Sequence, residues 1–332
     1  MKIFKCIFWG IFLLCCSLTV QTVSADKTGT FSVSPILSDH QTKGIDTFYD
    51  IRWTPGKSDT IGVTISNKTD KEQSYEIAVN KARTNKNGII DYSDGISESK
   101  SILYKFSDLL KLPMEVVVPA QSSKSVTGTI NFPDNSYNGI LMAGIHISEK
   151  NVINDKSMVS NKVAYNLPLI IRGNSDKRSK AEMALTELLV KQYSSKTYSL
   201  NIHLNNKKAT FLKNSKFKSV ITNSRGKQVT SKISYINVTP ETTFEYPIEL
   251  SKKYPAGKYN LKLVITHGKK DHWTFNKTFK INDDQAKSMN TLRRIGKTAW
   301  WIYGLICFGI IGITGLIILF VINRRKKKVD NY

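Results

Sequence analysis

Two histidines, His267 and His272, stand on either side of Gly268-Lys269-Lys270-Asp271, a segment with the composition of a hairpin turn, so they are expected to face each other across two strands. Two imidazoles make half of a zinc site. No third ligand stands near them and lysines crowd the turn, so they read as turn-flanking residues, and no metal is assigned. A second cluster, Asp91, Asp94 and Glu98 in Asp91-Tyr92-Ser93-Asp94-Gly95-Ile96-Ser97-Glu98, offers oxygen ligands for calcium, but its spacing departs from an EF-hand loop and it reads as a solvated acidic loop. The remaining histidines, His40, His146 and His203, are isolated, and no GxSxG elbow, HExxH helix or phosphate-cradling glycine loop is present. No catalytic residue and no cofactor follow from this inventory.

Aromatic rings remain as chemistry. Glycans are recognised by stacking on exposed ring faces, and Tyr49, Trp53 and Tyr92, near predicted loops, are the candidates for glycan contact, with Tyr104 and Tyr137 behind them. The competing expectation is burial, since a sandwich core takes up most large rings and each buried ring contributes a few kcal/mol, about 1.5–3. Trp273 and Phe275 alternate with polar residues and are expected in a sandwich interior.

The elements that would position these residues are strands. Phe31–Ile36, Thr60–Ser66, Gln73–Ala82, Glu115–Pro119, Ser125–Phe132, Ile140–Ser148 and Val163–Ile171 alternate apolar with polar residues, separated by turn clusters at Pro55-Gly56, Asn67-Lys68-Thr69-Asp70, Asn87-Gly88 and Asn138-Gly139. Seven or so short strands at this spacing predict an immunoglobulin-like sandwich. After a polar link, Arg172–Arg178, strands near Leu185–Val190, Tyr198–Leu204, Phe217–Thr222, Phe244–Leu250, Gly257–Thr266 and Trp273–Ile281 predict a second one. Ala181–Leu189 is ambiguous, because helix formers fill a place where a first strand is expected.

The ends of the chain set the compartment. Lys2 and Lys5, an apolar run Ile7–Val20 and Val23-Ser24-Ala25 read as a signal peptide over residues 1–25. Ala299–Ile322 is uncharged and, as a helix, about 36 Å long, enough to cross a hydrocarbon layer of about 30 Å. Trp300, Trp301 and Tyr303 fit an interfacial belt, and Arg324-Arg325-Lys326-Lys327-Lys328 a cytoplasmic stop-transfer edge. The organisation expected is all-β: a first sandwich over 26–172, a second over 173–282, a stalk over 283–298, one transmembrane helix over 299–322 and a tail over 323–332. Single-pass type I topology follows.

Of the four cysteines, Cys6, Cys15 and Cys16 lie in the signal peptide and Cys307 in the membrane segment, so disulfides, thiolate zinc sites and cysteine nucleophiles are excluded from the exterior together. An exterior of this size without disulfides points to a bacterial surface. The formal charge of +23 leaves +17 on residues 26–298 once the signal (+2) and tail (+4) are set aside. The excess favours polyanions. Nucleic acid is excluded, since no basic recognition helix or aromatic nucleotide motif appears. Anionic wall polymers are the natural counter-charge, with a merely Lys/Asn-rich composition as the alternative.

Phe31-x-Val33-x-Pro35, Gln41, Tyr49-Asp50-Ile51, Pro55-Gly56, Ala82-Arg83-Thr84-Asn85, Asn87-Gly88-Ile89-Ile90-Asp91-Tyr92, Pro133, Gly139-Ile140-Leu141 and Gly144-Ile145 run in an order that resembles the WxL-interacting protein family. The resemblance continues in Ala209-Thr210-Phe211-Leu212, Pro240, Phe244-Glu245-Tyr246-Pro247-Ile248, Ala256-Gly257-Lys258-Tyr259, the Trp273–Ile281 alternation and Gln285-Ala286-Lys287. It implies a Gram-positive cell-wall protein whose first domain binds peptidoglycan and whose second binds WxL-domain surface proteins or host components such as matrix proteins. The expected function is a non-enzymatic, membrane-anchored scaffold in the wall. A direct adhesin for host matrix or glycan without WxL partners is the alternative, and a wall hydrolase is disfavoured by the lack of paired acid and base motifs. A partner's strand added to an exposed sheet edge is the capture mode expected of the second domain.

Overall fold

The computed structural model describes residues 29–93, 102–150, 163–173, 180–194, 197–250, 254–295 and 300–329, with side chains along the last helix described from Tyr303 to Leu319. The signal peptide therefore lies outside the described residues. So do Asp94 and Glu98, and the side chains of Trp300, Trp301 and Arg324–Lys328.

The first sandwich is built from β1 (Phe31–Ile36), β2 (Tyr49–Arg52), β3 (Ser58–Asn67), β4 (Gln73–Lys81), β5 (Arg83–Thr84), β6 (Ile90–Asp91), a one-turn helix α1 (Phe106–Leu109), β7 (Leu110–Lys111), β8 (Glu115–Val118), β9 (Ser123–Asn131), β10 (Ile140–Glu149) and β11 (Ala164–Arg172). Its sheets have the orders β1-β3-β9-β7 and β2-β11-β10-β4-β8, while β5 and β6 form a small hairpin of their own. Every pairing is antiparallel except β2 with β11, which run parallel. Period-two patterning makes the core: along β10, Leu141, Ala143, Ile145 and Ile147 point inward and are buried, each large one adding about 1.5–3 kcal/mol.

The second sandwich comprises β12 (Met183–Gln192), β13 (Tyr198–Asn206), β14 (Leu212–Asn223), β15 (Gln228–Val238), β16 (Thr242–Glu249), β17 (Gly257–His267) and β18 (Asp271–Ile281). Its sheets run β12-β13-β16 and β15-β14-β17-β18 around a separate core that includes Leu204, Phe217, Tyr246 and Ile265. The ambiguous segment is a strand: β12 pairs with β13 from Met183 to Gln192, so tertiary pairing overrides the helix-forming composition. Strand β15 was absent from the sequence expectation, because Lys232 and Ser234 alternate with an exposed Ile233 and Tyr235 and disguise the buried face.

The segment expected to be a stalk opens with a helix, α2 (Asp283–Ile295). Asn282 caps it: its Oδ1 accepts from the Gln285 N–H at 2.7 Å, while the Gln285 Oε1 accepts from the Asn282 N–H at 3.0 Å, a reciprocal box that satisfies two orphan donors. Ala286 and Met289 are buried against the second core, so the start of α2 is part of that sandwich. Helix α3 (Trp300–Val329) follows, with Phe308, Ile311 and Leu316 exposed. Among the described residues no helix is long and apolar enough to cross a membrane.

Candidate functional site

The two sandwiches interlock at two points. The turn of the β5–β6 hairpin closes through a Gly88 N–H to Asn85 O bond of 2.9 Å, with Gly88 at φ +76°. This hairpin reaches across to the second sandwich. Gly88 lies so close to Ile236 that an added Cβ would stand 2.8 Å from its Cγ1, and the Asn237 N–H donates to Gly88 O at 3.0 Å. The Thr84 hydroxyl donates to Asn237 O at 2.8 Å and accepts from the Thr239 N–H at 3.0 Å, and Lys86 pairs with Glu245 at 3.0 Å. At the second point Gly139, at φ +139°, packs on Ala209, and the Ile140 N–H donates to Ala209 O at 2.8 Å. Only glycine fits there: the backbone angle excludes a side chain, and a Cβ would sit 2.5 Å from that of Ala209.

Beside this junction lies a groove of about 450 Å³ on the outer face of the five-stranded sheet. Ile140, Met142, Pro168 and Ile170, alternate residues of β10 and β11, form an apolar floor, and the rings of Phe48, Tyr92 and Phe211 line it. Tyr92 lies there because Gly144 of β10 has no side chain: a Cβ would meet the ring at 2.6 Å. Its carbonyl accepts from the Asn80 side chain at 2.8 Å, and burial pushes its phenol up to about 12, so the ring is neutral. The rim is polar, with Arg172, Lys213 and Asn237. Arg172 is fixed there by Asp50, fully buried, whose carboxylate accepts from its Nε at 2.7 Å and Nη2 at 2.6 Å and from the Thr42 hydroxyl at 3.0 Å. The Asp50 hydrogen bond raises the guanidinium above its ordinary value.

On the other side of the hairpin a larger cleft, about 800 Å³, is lined by Arg83, Lys86, Asn205, Lys207, Glu241 and Glu245 among others. Burial raises the Glu241 carboxyl above the usual range, against the pull of Lys81. Arg83 is engaged with Asp91 at 2.9 Å. Burial pushes the Asp91 carboxyl up, but hydrogen bonds from Ser93 and Arg83 outweigh it and hold the group low. Asp91 is thus a structural ion-pair partner. Among the described residues no cluster of histidine, cysteine and carboxylate could hold a metal. His267 and His272 do flank a hairpin turn, with His267 opposite Asp271, and the His267 ring lies 3.0 Å from the Ser215 hydroxyl.

Two of the three glycan-contact candidates are corrected. Tyr49 is fully buried and its hydroxyl donates to Gly62 O, and Trp53 is 1% exposed, its indole N–H donating to Asn135 O at 2.9 Å. Trp53 packs against Tyr104, Phe132 and Tyr137 at centroid separations of 4.8, 5.2 and 5.2 Å, so neither ring offers a face to a ligand. Tyr49 is an inward residue of β2, and Trp53, just past the end of that strand, is turned into the same core. Trp273 and Phe275 are half-buried against the second core, and Tyr303 is exposed. Phe48 and Phe211 were missed; the Ala209-Thr210-Phe211-Leu212 and Gly88–Tyr92 motifs were the available signal, since both converge on this junction.

Two family models match the chain: the WxL-interacting protein peptidoglycan-binding domain over residues 31–149 and the WxL-interacting protein host-binding domain over residues 154–291. The chain belongs to the WxL-interacting protein family. A search of curated proteins found no match. Among solved structures the chain is similar to the class 5 fimbriae chaperone CfaA, at 16% identity and a TM-score of 0.30, covering 74% of this chain and 98% of that one. It is also similar to the E. coli chaperone DraB, at 14% identity and a TM-score of 0.29, covering 76% of this chain and 98% of that one. Within the family's frame, Tyr92 and Phe48 belong to the peptidoglycan-binding domain and Phe211 to the host-binding domain, so the groove straddles the two. A peptidoglycan-binding domain puts the protein at the cell-wall surface.

Proposed function

We propose that this chain is a non-enzymatic scaffold of the Gram-positive cell surface, anchored in the membrane through α3, that holds peptidoglycan in the junction groove and captures WxL-domain surface proteins or host components with its second sandwich. The observation that carries the first half is the groove itself: three rings, Phe48, Tyr92 and Phe211, beside an apolar floor with Arg172, Lys213 and Asn237 at its rim. Sugar rings are amphipathic, with C–H faces that pack on aromatic faces and hydroxyl and N-acyl edges that need hydrogen-bond partners, so apolar walls with a sparse polar rim suit them. Co-sedimentation of the full-length chain with intact peptidoglycan at low and high salt tests it. Tyr92→Ala and Phe211→Ala are each expected to weaken binding about tenfold, equivalent to about 1.4 kcal/mol, with little salt dependence. Unchanged binding by the double variant would discard the groove.

Capture of a partner protein is assigned to the free edge of β15. Among the described residues this strand pairs only with β14, and between Gln228 and Ile236 its other side carries no strand, while Ile233 and Tyr235 stand 52% and 61% exposed. An incoming strand would gain main-chain hydrogen bonds there. Proline placed where the N–H faces away from β14 should abolish WxL-protein binding without unfolding the sandwich; retention of binding at every such position rejects the edge.

Anchoring rests on the exposed apolar side chains of α3, among them Phe308 at 79% and Leu316 at 69%, and on the sequence around them, aromatic before and basic after. Resistance of the full-length chain to alkaline extraction from membranes, lost on truncation before Ala299, is the expected result. Extraction of the intact chain would overturn the anchor.

A further inference from the structure

The second sandwich is charge-polarised. The strands of its three-stranded sheet carry Glu187, Glu245 and Glu249, whereas those of its four-stranded sheet carry repeated lysines and no carboxylate except Asp271 at a strand end. The lysines are not scattered. Lys216 and Lys218 are alternate residues on the outer face of β14, Lys262 on β17 lies opposite Val220, two residues beyond Lys218, and Lys258 and Lys280 lie directly opposite one another at the far end of β17 and β18. All five are exposed, and among the described residues none forms an ion pair with a carboxylate. With strands about 4.8 Å apart and about 3.4 Å per residue, they trace a diagonal stripe roughly 30 Å long.

The stripe has a beginning. Lys213, on the same strand, is exposed at the rim of the junction groove, beside Asn237, whose side-chain oxygen accepts from the Asn214 N–H at 2.8 Å where the strand bulges. Groove and stripe therefore form one continuous track.

A sheet with like charges paired directly across strands is less stable than one with mixed or neutral pairs, so the Lys258–Lys280 register is a cost that a bound anion would remove. Lys216, Lys218 and Lys262 recur about every 6.8 Å along the strand direction and Lys258 follows after about 13.6 Å, a linear spacing that suits an extended chain with one negative charge per short repeat better than a compact anion. We infer that the outer face of the four-stranded sheet is a docking track for a linear poly(phosphodiester), continuous with the groove. The inference rests on the surface reading above only for where the protein works, and adds a ligand class and a site to it.

The test uses the full-length chain in zwitterionic detergent and a poly(glycerol phosphate) chain as the probe. The triple variant Lys216→Gln/Lys218→Gln/Lys262→Gln is expected to bind the probe at least tenfold more weakly than the parent, with a shallower salt dependence. A control triple with the same charge change on the first sandwich, Lys43→Gln/Lys57→Gln/Lys68→Gln, is expected to change it less than twofold. Equal weakening by both triples would overturn the track in favour of bulk charge. Equal affinity of the parent for polyglutamate of the same charge would overturn the phosphodiester assignment, and so would binding to anionic vesicles without binding to the polymer. Peptidoglycan stripped of anionic polymer separates the two claims: the stripe triple should bind it as the parent does, whereas Tyr92→Ala should not.

Discussion

The two sandwiches handle charge in opposite ways. In the first, Asp50 is fully buried and closed off by Arg172 and Thr42, and the groove beside that pair is apolar. In the second, the outer face of the four-stranded sheet carries Lys216, Lys218, Lys258, Lys262 and Lys280, none paired with a carboxylate among the described residues. A neutralised, apolar surface recognises by shape and dispersion, and its contacts survive salt; a bare cationic face recognises by charge, and its contacts fade within a Debye length of about 8 Å at physiological ionic strength. One chain thus carries two surfaces that a salt titration can tell apart.

The largest effect that would sharpen this division is in the first core. Trp53 is the hub of a four-ring cluster, and Trp53→Ala is expected to cost about 4 kcal/mol. Because the two cores are separate clusters, that loss should split a single urea transition into two, with the second sandwich unfolding at its original midpoint. A single transition shifted as a whole would mean that the junction couples the sandwiches more strongly than their separate cores imply.

Next in size is the buried pair. Arg172→Met leaves the Asp50 carboxylate without its bidentate partner and is expected to cost about 3 kcal/mol, at the low end for a broken buried pair because the Arg172 side chain is 44% exposed. Asp50→Asn should be milder, since it removes the stranded charge. Were the two variants equally stable, the pair would be no more than a surface contact and the contrast between the sandwiches would weaken. At the junction, Gly139→Ala is expected to cost about 2 kcal/mol, from the positive φ and the approach of Ala209, and to weaken peptidoglycan binding, since Phe211 reaches the groove only while the sandwiches stay docked.

Strand periodicity made much of the architecture legible in the chain: β4 and β17 alternate because one face of each is buried, whereas β10 is covered on both faces and shows as a nearly continuous apolar run. Short pieces were not legible. Strand β2 has four residues, three of them buried, and so shows no alternation, and β5 and β6 are stabilised mainly by docking on the other sandwich. The site was half legible for a related reason. An aromatic residue type does not say which face of a strand it occupies, so Tyr49 and Trp53 looked the same as Tyr92; the difference comes from Gly144, on a strand some fifty residues away, which leaves room for the Tyr92 ring. Phe211 was hidden because its partners in the groove belong to the other sandwich.

The smallest effect is the most discriminating. Lys280→Glu turns the like-charge pair with Lys258 into a cross-strand ion pair, which is expected to raise stability by about 0.5 kcal/mol, read as a small rise in the thermal midpoint. If lysine richness were only compositional, that gain would come free. If the stripe binds a polyanion, the same substitution should lower affinity for the phosphodiester chain at least threefold while leaving the polymer-stripped peptidoglycan interaction untouched. A more stable protein that binds its ligand less well is the signature of charges retained for recognition, because recognition is the only one of the two roles in which the repulsion between Lys258 and Lys280 is useful. A variant that gains stability and keeps full affinity would reduce the second sandwich to a merely soluble, basic surface, and the contrast with the first would then be one of composition.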